Sequence, residues 1–519
     1  MSYDGNLLGS SSRRRAGASS LMSRLMYVGG DWVRSSTETL TPVYDPSHGQ
    51  VIEEVPHATR EDVDRAVDAA RTAFPGWSRL PPGDRANMLL RVADLLAQRS
   101  SEFARLESLN SGKSIKQTTD YDVPYTVDNI RYLAGASRTL EGKAMAEYVS
   151  DGTSAVRREP IGVVGAITPW NYPLMMVAWR AFPALAMGNT VVVKPASYTP
   201  LTTLELAGLV EKAGVPKGVF NVVTGPGSEV GEALASHRNV DMIAFTGSTE
   251  VGRRLSELGA GNVKKVSLEL GGKAPFVVFD DANLEAAAEG AVVGGLINNG
   301  QDCANATRFY VHASIAEKYQ RLLVDKLRKV QVGDSLLPET DMGPLVSETQ
   351  RNRVEGYIQK GLKEEGRLVY GGERPKIEGH ERGYFLNPTV IFTDNHASSI
   401  VQEEIFGPVF TVLSFEDYDE VIRKSNEVVY GLGASVWTRD VTRAMNAVKD
   451  LRFGTVWVND HVPVPSEMPW AGYKQSGHGA SLSPYSLEEF TYVKHVYFDL
   501  TGKARKSWYY QVYGQKDSQ

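Results

Sequence analysis

The sequence predicts an α/β protein made of two parallel-sheet domains and a separate β-strand arm, and three observations predict it. Short β-branched runs begin near Gly162, Thr190, Val219, Met242 and Lys265, with helix-like sequence between most of them. That alternation lays parallel strands beneath covering helices. A second alternating region runs from Phe276 to about Asp460, with strand candidates at 275–279, 308–311, 409–415 and 454–459. Two more strand-like stretches, 144–158 and 489–500, fall outside both regions. The length of 519 residues, with 42% apolar and 23% charged, suits two or three packed units.

The elements follow in chain order. Residues 1–22 carry Ser10, Ser11, Ser12, Arg13, Arg14 and Arg15 but lack the apolar core of a secretory signal, so they read as a disordered tail; a transit peptide would share the same Ser and Arg bias. Stretches 61–78 and 84–109 place apolar residues at helical spacing, Val63, Ala66, Val67 and Ala70 in the first and Leu89, Val92 and Leu96 in the second. Residues 23–140 and 160–270 are assigned to the first domain and 271–465 to the second. Segments 141–159 and 480–500 form the arm, whose unpaired edges predict a homo-oligomer, dimer or tetramer. The last stretch, 501–519, holds Trp508, Tyr509, Tyr510 and Tyr513, and is expected to dock on a neighbouring subunit or near a substrate entrance unless it is disordered.

Composition excludes several partners. The net charge of −6 supplies no basic field for nucleic acid. No run reaches the roughly 18 uncharged apolar residues of a membrane helix. One cysteine in the whole chain fits a reducing compartment, hence a cytoplasmic location.

That cysteine, Cys303, ends the run Asn298, Asn299, Gly300, Gln301, Asp302 and lies downstream of Glu269, Leu270, Gly271, Gly272, Lys273. A lone thiol preceded by a glycine-framed glutamate is a candidate nucleophile with its base, whereas by itself it would read as a small buried hydrophobe. Glu269 closes the first region and Cys303 follows the helix-like segment 284–298 of the second, so the two are expected to meet across a domain cleft. Open parallel sheets bind ligands beyond the carboxyl ends of their strands, a zone that here holds Trp170, Asn171, Lys194, Gly225, Gly227 and Ser248. Gly225, Gly227 and Gly231 are spaced GxGxxxG, not as the usual dinucleotide fingerprint, and serve equally as a plain turn or a phosphate cradle. The turn 245–250 repeats the theme with a capping start to the next helix.

These segments together resemble the aldehyde dehydrogenase superfamily from about residue 25 to 500. The matching runs are Pro169, Trp170, Asn171, Tyr172, Pro173; Lys194, Pro195; 245–250; 269–273; 300–303; and Glu404, Ile405, Phe406, Gly407, Pro408. The resemblance implies a Rossmann-like cofactor domain beside a catalytic domain, and oxidation of an aldehyde to a carboxylic acid with a nicotinamide cofactor. By that resemblance Cys303 attacks the carbonyl, the Asn171 amide and the Cys303 N–H stabilise the oxyanion, and Glu269 activates water against the thioester. Thr168, Trp170, Lys194, Ser197, Gly227, Gly231, Ser248, Glu404 and Phe406 would bind the cofactor, with no metal. Relatives that prefer NAD often carry glutamate where this chain has Ser197, so NAD is expected with NADP tolerated.

For the substrate, the resemblance is nearest to 4-aminobutyraldehyde dehydrogenases, with betaine aldehyde dehydrogenases next. Tyr172, Trp179 and Trp470 would present ring faces to an ammonium, and Asp122 a counter-charge. Succinate semialdehyde or aliphatic aldehydes are the alternatives; an anionic substrate calls for arginine, and the pocket segments supply only Arg180. A noncatalytic protein that kept the fold would be expected to have lost Cys303, and a cofactor-independent thioesterase would have no use for Lys194, Ser248 and Glu404.

Overall fold

The computed structural model describes residues 25–142 and 144–515; the tail expected at 1–22 lies outside the described residues. The first sheet runs Asp31–Val33, Met26–Val28, Phe220–Val222, Thr190–Lys194, Val163–Ile167, Met242–Thr246, Lys265–Glu269, Gly477–His478. Its five central strands are parallel, and the strands toward both edges are antiparallel. Val163–Ile167, Thr190–Lys194 and Met242–Thr246 are buried along their whole lengths. Strands covered on both faces read as unbroken apolar runs, which is why the sequence announced them. Chain order reverses between Val163–Ile167 and Met242–Thr246, and the crevice of a doubly wound sheet opens beyond such a reversal. Gly477–His478, assigned to neither domain from sequence, pairs with Leu268 and Glu269 at the sheet edge.

The second sheet runs Arg367–Tyr370, Thr389–Phe392, Val409–Phe415, Ala306–His312, Ala274–Val278, Gly433–Trp437, Thr455–Val458. All neighbours are parallel except the Arg367–Tyr370 edge. Each sheet has its own buried apolar clusters.

Two expectations need correction. The 84–109 stretch is two helices, Pro82–Gln98 and Ser100–Ser111, divided at Arg99, whose φ of −107° and ψ of 20° leave the helical region. The Arg99 side chain there binds Glu102 and Glu205, contacts that apolar periodicity does not register. The 144–158 stretch is a hairpin, Ala146–Val149 and Gly152–Pro160, turning at Ser150 and Asp151. Gly152–Pro160 pairs over its full length with Thr491–Asp499. The C-terminal stretch is anchored on this arm: Lys506 Nζ meets Asp499 Oδ2 at 2.5 Å and Ser507 Oγ donates to Asp151 Oδ2 at 2.7 Å. Trp508 and Tyr513 remain exposed.

Candidate active site

The candidate nucleophile, Cys303, follows a left-handed turn. Helix Leu284–Leu296 gives way to Asn298, Asn299 and Gly300 at φ 52°, 58° and 74°. Asparagine tolerates that region better than other side chains with a Cβ, because its amide can bond locally. Asn298 Nδ2 donates to Asn171 O at 2.7 Å and to Gln301 O at 2.9 Å. Asn299 Nδ2 donates to Gly112 O at 2.9 Å and Pro344 O at 2.8 Å, while its Oδ1 accepts from Gly343 N at 2.9 Å. The turn is thus tied to both sides of the cleft, and Cys303 follows it, half-buried.

Cys303 stands where two cavities meet. One, of about 50 Å³, is walled by aromatic side chains; the other, of about 140 Å³, lies against Ser248, Glu404 and Phe406. Asn171, Thr246 and Cys303 line both. Burial pushes the Cys303 thiol well up, with the charges of Asp302, Glu269 and Glu404 adding to it, so the resting side chain is a thiol. Asn171 Nδ2 lies 3.2 Å from Gln301 O, and the Cys303 N–H donates to no backbone carbonyl among the described residues.

Glu269 lines the aromatic cavity at the end of its strand. Its Oε2 forms an ion pair with buried Arg180 and accepts from Thr246 Oγ1 at 3.4 Å, whereas Oε1 is buried with no hydrogen-bond partner among the described residues. Arg180 also donates from Nε to Thr246 Oγ1 at 2.8 Å. The arginine considered above for anionic substrates is therefore engaged by Glu269.

On the second cavity, Trp170 and Phe406 meet edge to face at 5.2 Å. Phe406 has φ 62°, a conformation that costs free energy in a bulky residue and that clusters at functional sites. Glu404 Oε1 accepts from Gly272 N at 2.9 Å, and burial raises its carboxyl to about 7. A Cβ on Gly271 would come within 2.4 Å of that carboxylate, which would have to move. Ser248 caps helix Thr249–Gly259 by accepting from Val251 N. Trp170, Ser248, Glu404 and Phe406 thus converge, as the resemblance implied. Thr168, Lys194, Ser197, Gly227 and Gly231 do not line this cavity but follow the neighbouring strand ends. Thr168 N donates to Lys194 O at 3.1 Å, and Ser197 Oγ donates to Gly225 O at 2.8 Å. Burial lowers the Lys194 amine to about 8. Instead of a tight turn into a long helix, Gly227–Gly231 forms one wide π-helical turn before the short helix Glu232–Ser236.

On the aromatic side, Tyr172, Trp179 and Trp470 line the cavity. Asp122 is a correction: it is buried outside the cavity, where Lys113 Nζ binds it at 2.5 Å, so it has no free charge for a substrate. The cavity's carboxylate adjoining Cys303 in sequence is Asp302, whose Oδ2 accepts from Tyr172 Oη at 2.7 Å. Burial raises its carboxyl. Sequence reasoning also missed Trp457, at the end of a strand, and Tyr121 and Tyr125, four residues apart and stacked at 5.2 Å. The i,i+4 spacing of the tyrosines was a readable signal; that of Trp457 was not.

Comparison with known proteins agrees with this geometry. The sequence profile of the Aldehyde dehydrogenase family matches residues 32–496. Betaine aldehyde dehydrogenase of Bacillus subtilis (strain 168) is 41% identical over 490 residues, covering 94% of this chain and all of that protein. The crystal structure of betaine aldehyde dehydrogenase from Staphylococcus aureus in complex with NAD+ superposes with a TM-score of 0.91 at 38% identity, covering 93% of this chain and 96% of that one. The NAD+ complex of an aldehyde dehydrogenase from Bacillus cereus does so with a TM-score of 0.91 at 40% identity, over 93% and 98% of the two chains.

Proposed function

We infer the substrate from one premise: the chain belongs to the aldehyde dehydrogenase family. The reading supported best is oxidation of a small ammonium-bearing aldehyde, betaine aldehyde ahead of 4-aminobutyraldehyde, with NAD+. The observation that carries it is the set of indole rings around the aromatic cavity, where Trp470 lies 6.3 Å from Trp179 and 6.2 Å from Trp457 between ring centroids. Ring faces attract a cation without hydrogen-bonding it, which suits a trimethylammonium group. An anionic semialdehyde would need a free cation, but Arg180 holds Glu269 and Lys113 holds Asp122. The relatives named for betaine aldehyde and solved with NAD+ favour the same reading.

The residues fit the cofactor: the 140 Å³ cavity offers Ser248 and Glu404, and the buried Thr168 Oγ1 at the adjoining strand end has no partner among the described residues. When bound there, NAD+ supplies the hydride acceptor. Cys303 loses its proton to solvent and adds Sγ to the aldehyde carbon, while the Cys303 N–H and the Asn171 amide, turned from Gln301 O, receive the new oxyanion. Once that carbon has been oxidised to the thioester level, Glu269 Oε1 takes a proton from water. The resulting hydroxide adds to the thioester carbonyl, and the carbon–sulfur bond breaks to give acid and thiolate. The exposed Tyr492, Tyr497 and Phe498 on the Thr491–Asp499 arm support an oligomer, and the single thiol supports a cytoplasmic setting.

The test is initial NADH formation with betaine aldehyde, 4-aminobutyraldehyde, succinate semialdehyde and hexanal, with Cys303→Ala as blank. A kcat/KM highest for betaine aldehyde supports the proposal. Highest turnover of hexanal or the semialdehyde refutes the cationic pocket, and a signal that survives in Cys303→Ala refutes the mechanism.

A further inference from the structure

Away from both cavities, His48, Asp334 and His380 each bring one ligand atom within 4.8 Å of the others. They come from three distant places: the turn between strands Leu40–Asp45 and Gln50–Pro56, the segment between helices Ala316–Leu327 and Glu348–Lys363, and the loop joining Arg367–Tyr370 to Thr389–Phe392. No local spacing of ligands could have announced them.

Each ligand is already aimed by a second contact. His380 Nδ1 lies 3.0 Å from Ser47 O, and because a carbonyl only accepts, the proton sits on Nδ1 and the lone pair on Nε2. His48 Nδ1 lies 2.7 Å from Asp45 Oδ2, which fixes the same tautomer, and that carboxylate is itself positioned by Ser47 N on Oδ1 at 2.8 Å. Asp334 Oδ1 accepts from Leu336 N at 3.0 Å, leaving Oδ2 facing His380 Nε2 at 4.0 Å. A histidine whose far nitrogen is held by a carboxylate or a carbonyl is the arrangement that orients metal ligands.

We propose that His48, His380 and Asp334 form a divalent metal site, with Zn2+ the best match to two imidazoles and a carboxylate, and with water in the fourth position. Ligand atoms around tetrahedral zinc are about 3.4 Å apart, so binding draws these together by roughly an ångström. The partial exposure of His48 gives the ion an entry path. The metal clips the 40–56 hairpin to two loops of the second α/β unit. That junction also forms without metal, since Tyr384 N donates to Pro46 O at 3.0 Å and Ser335 N to Ser47 Oγ at 3.2 Å. Ligand variants should therefore fold.

The experiment uses untagged, full-length Cys303→Ser protein, so that the only thiol cannot compete, dialysed against chelator and titrated calorimetrically with zinc sulfate. The expected result is one Zn2+ per chain, a higher melting temperature with zinc, and at least about tenfold weaker binding in Asp334→Asn and His380→Gln. His237→Gln, which alters a histidine paired with Asp64 elsewhere, should bind as the parent does. Metal-free melting curves establish that each variant is folded, and His48→Asn, on the turn, replaces any variant that is not. No zinc binding by the parent, or equal binding by folded Asp334→Asn and His48→Asn, overturns the proposal.

Discussion

Replacing Trp470 with leucine separates charge recognition from packing in the aldehyde cavity. Trp470 exchanges backbone hydrogen bonds with Ser481 at 2.8 Å in both directions, so leucine keeps the local chain path. Trp179 stays fixed because its Nε1 donates to Asn129 Oδ1 at 2.7 Å. A cation against one desolvated indole gains about 1–2 kcal/mol, and at about 1.4 kcal/mol per decade its loss lowers kcat/KM roughly 5- to 30-fold. The void left by the ring penalises any substrate, so the control is 3,3-dimethylbutanal, in which a neutral tert-butyl group replaces trimethylammonium. The expected outcome is that betaine aldehyde loses about 5- to 30-fold more than this isostere in NADH-coupled initial rates. Melting temperatures of both proteins check that the buried substitution leaves the fold intact. If the two substrates lose kcat/KM by the same factor, the ring contributes shape alone and the cation reasoning is refuted.

Three further outcomes follow from the site. After burial, the Asp302 charge does most to raise the Cys303 thiol, so Asp302→Asn should let the thiol ionise at lower pH and shift the pH profile of iodoacetamide labelling downward; an unmoved midpoint counts against that coupling. Glu404 titrates near 7, so if its carboxylate accepts cofactor hydroxyls, KM for NAD+ should fall as pH rises through 7 and Glu404→Gln should flatten the profile. The sign for folding is opposite: a carboxyl raised in the folded state stabilises it below the unfolded value, and that contribution is lost as pH rises through 7. With Ser197 in place of a carboxylate, NADP should support turnover comparable to NAD and Ser197→Glu should suppress it; a preference of the unaltered chain for NAD above about a thousandfold, roughly 4 kcal/mol, contradicts this.

Strands buried on both faces were legible because burial leaves a continuous apolar record, and Val409–Phe415 lies where the pattern placed it. Cys303 and Glu269 were legible because their flanking glycines and asparagines carry backbone requirements, seen in the positive φ of Asn298, Asn299 and Gly300 and the tight contact at Gly271. What stayed hidden depends on pairing at long range. Asp122 looked like a free carboxylate because nothing in a sequence shows that Lys113 occupies it. Trp457 lies 154 positions beyond Cys303, and only the assembly of the second sheet, with Thr455–Val458 at its edge, brings it to the same cavity (457 − 303).

Arg180 shows the same limit at Glu269. Breaking a buried ion pair typically costs about 3–5 kcal/mol, so releasing Glu269 from Arg180 in each cycle would be costly, and its other oxygen already has no hydrogen-bond partner among the described residues. The pair divides the carboxylate: Oε2 is held by the guanidinium, and Oε1, with no hydrogen-bond partner among the described residues, is the oxygen left for proton transfer if Glu269 is the base. An unpaired buried oxygen is a stability cost that a purely structural glutamate would have no reason to bear. Arg180→Met should therefore impair thioester hydrolysis more than thioester formation. In single-turnover mixing the NADH burst would persist while steady-state turnover falls, and equal loss of both phases would show that Arg180 serves the fold and not the base.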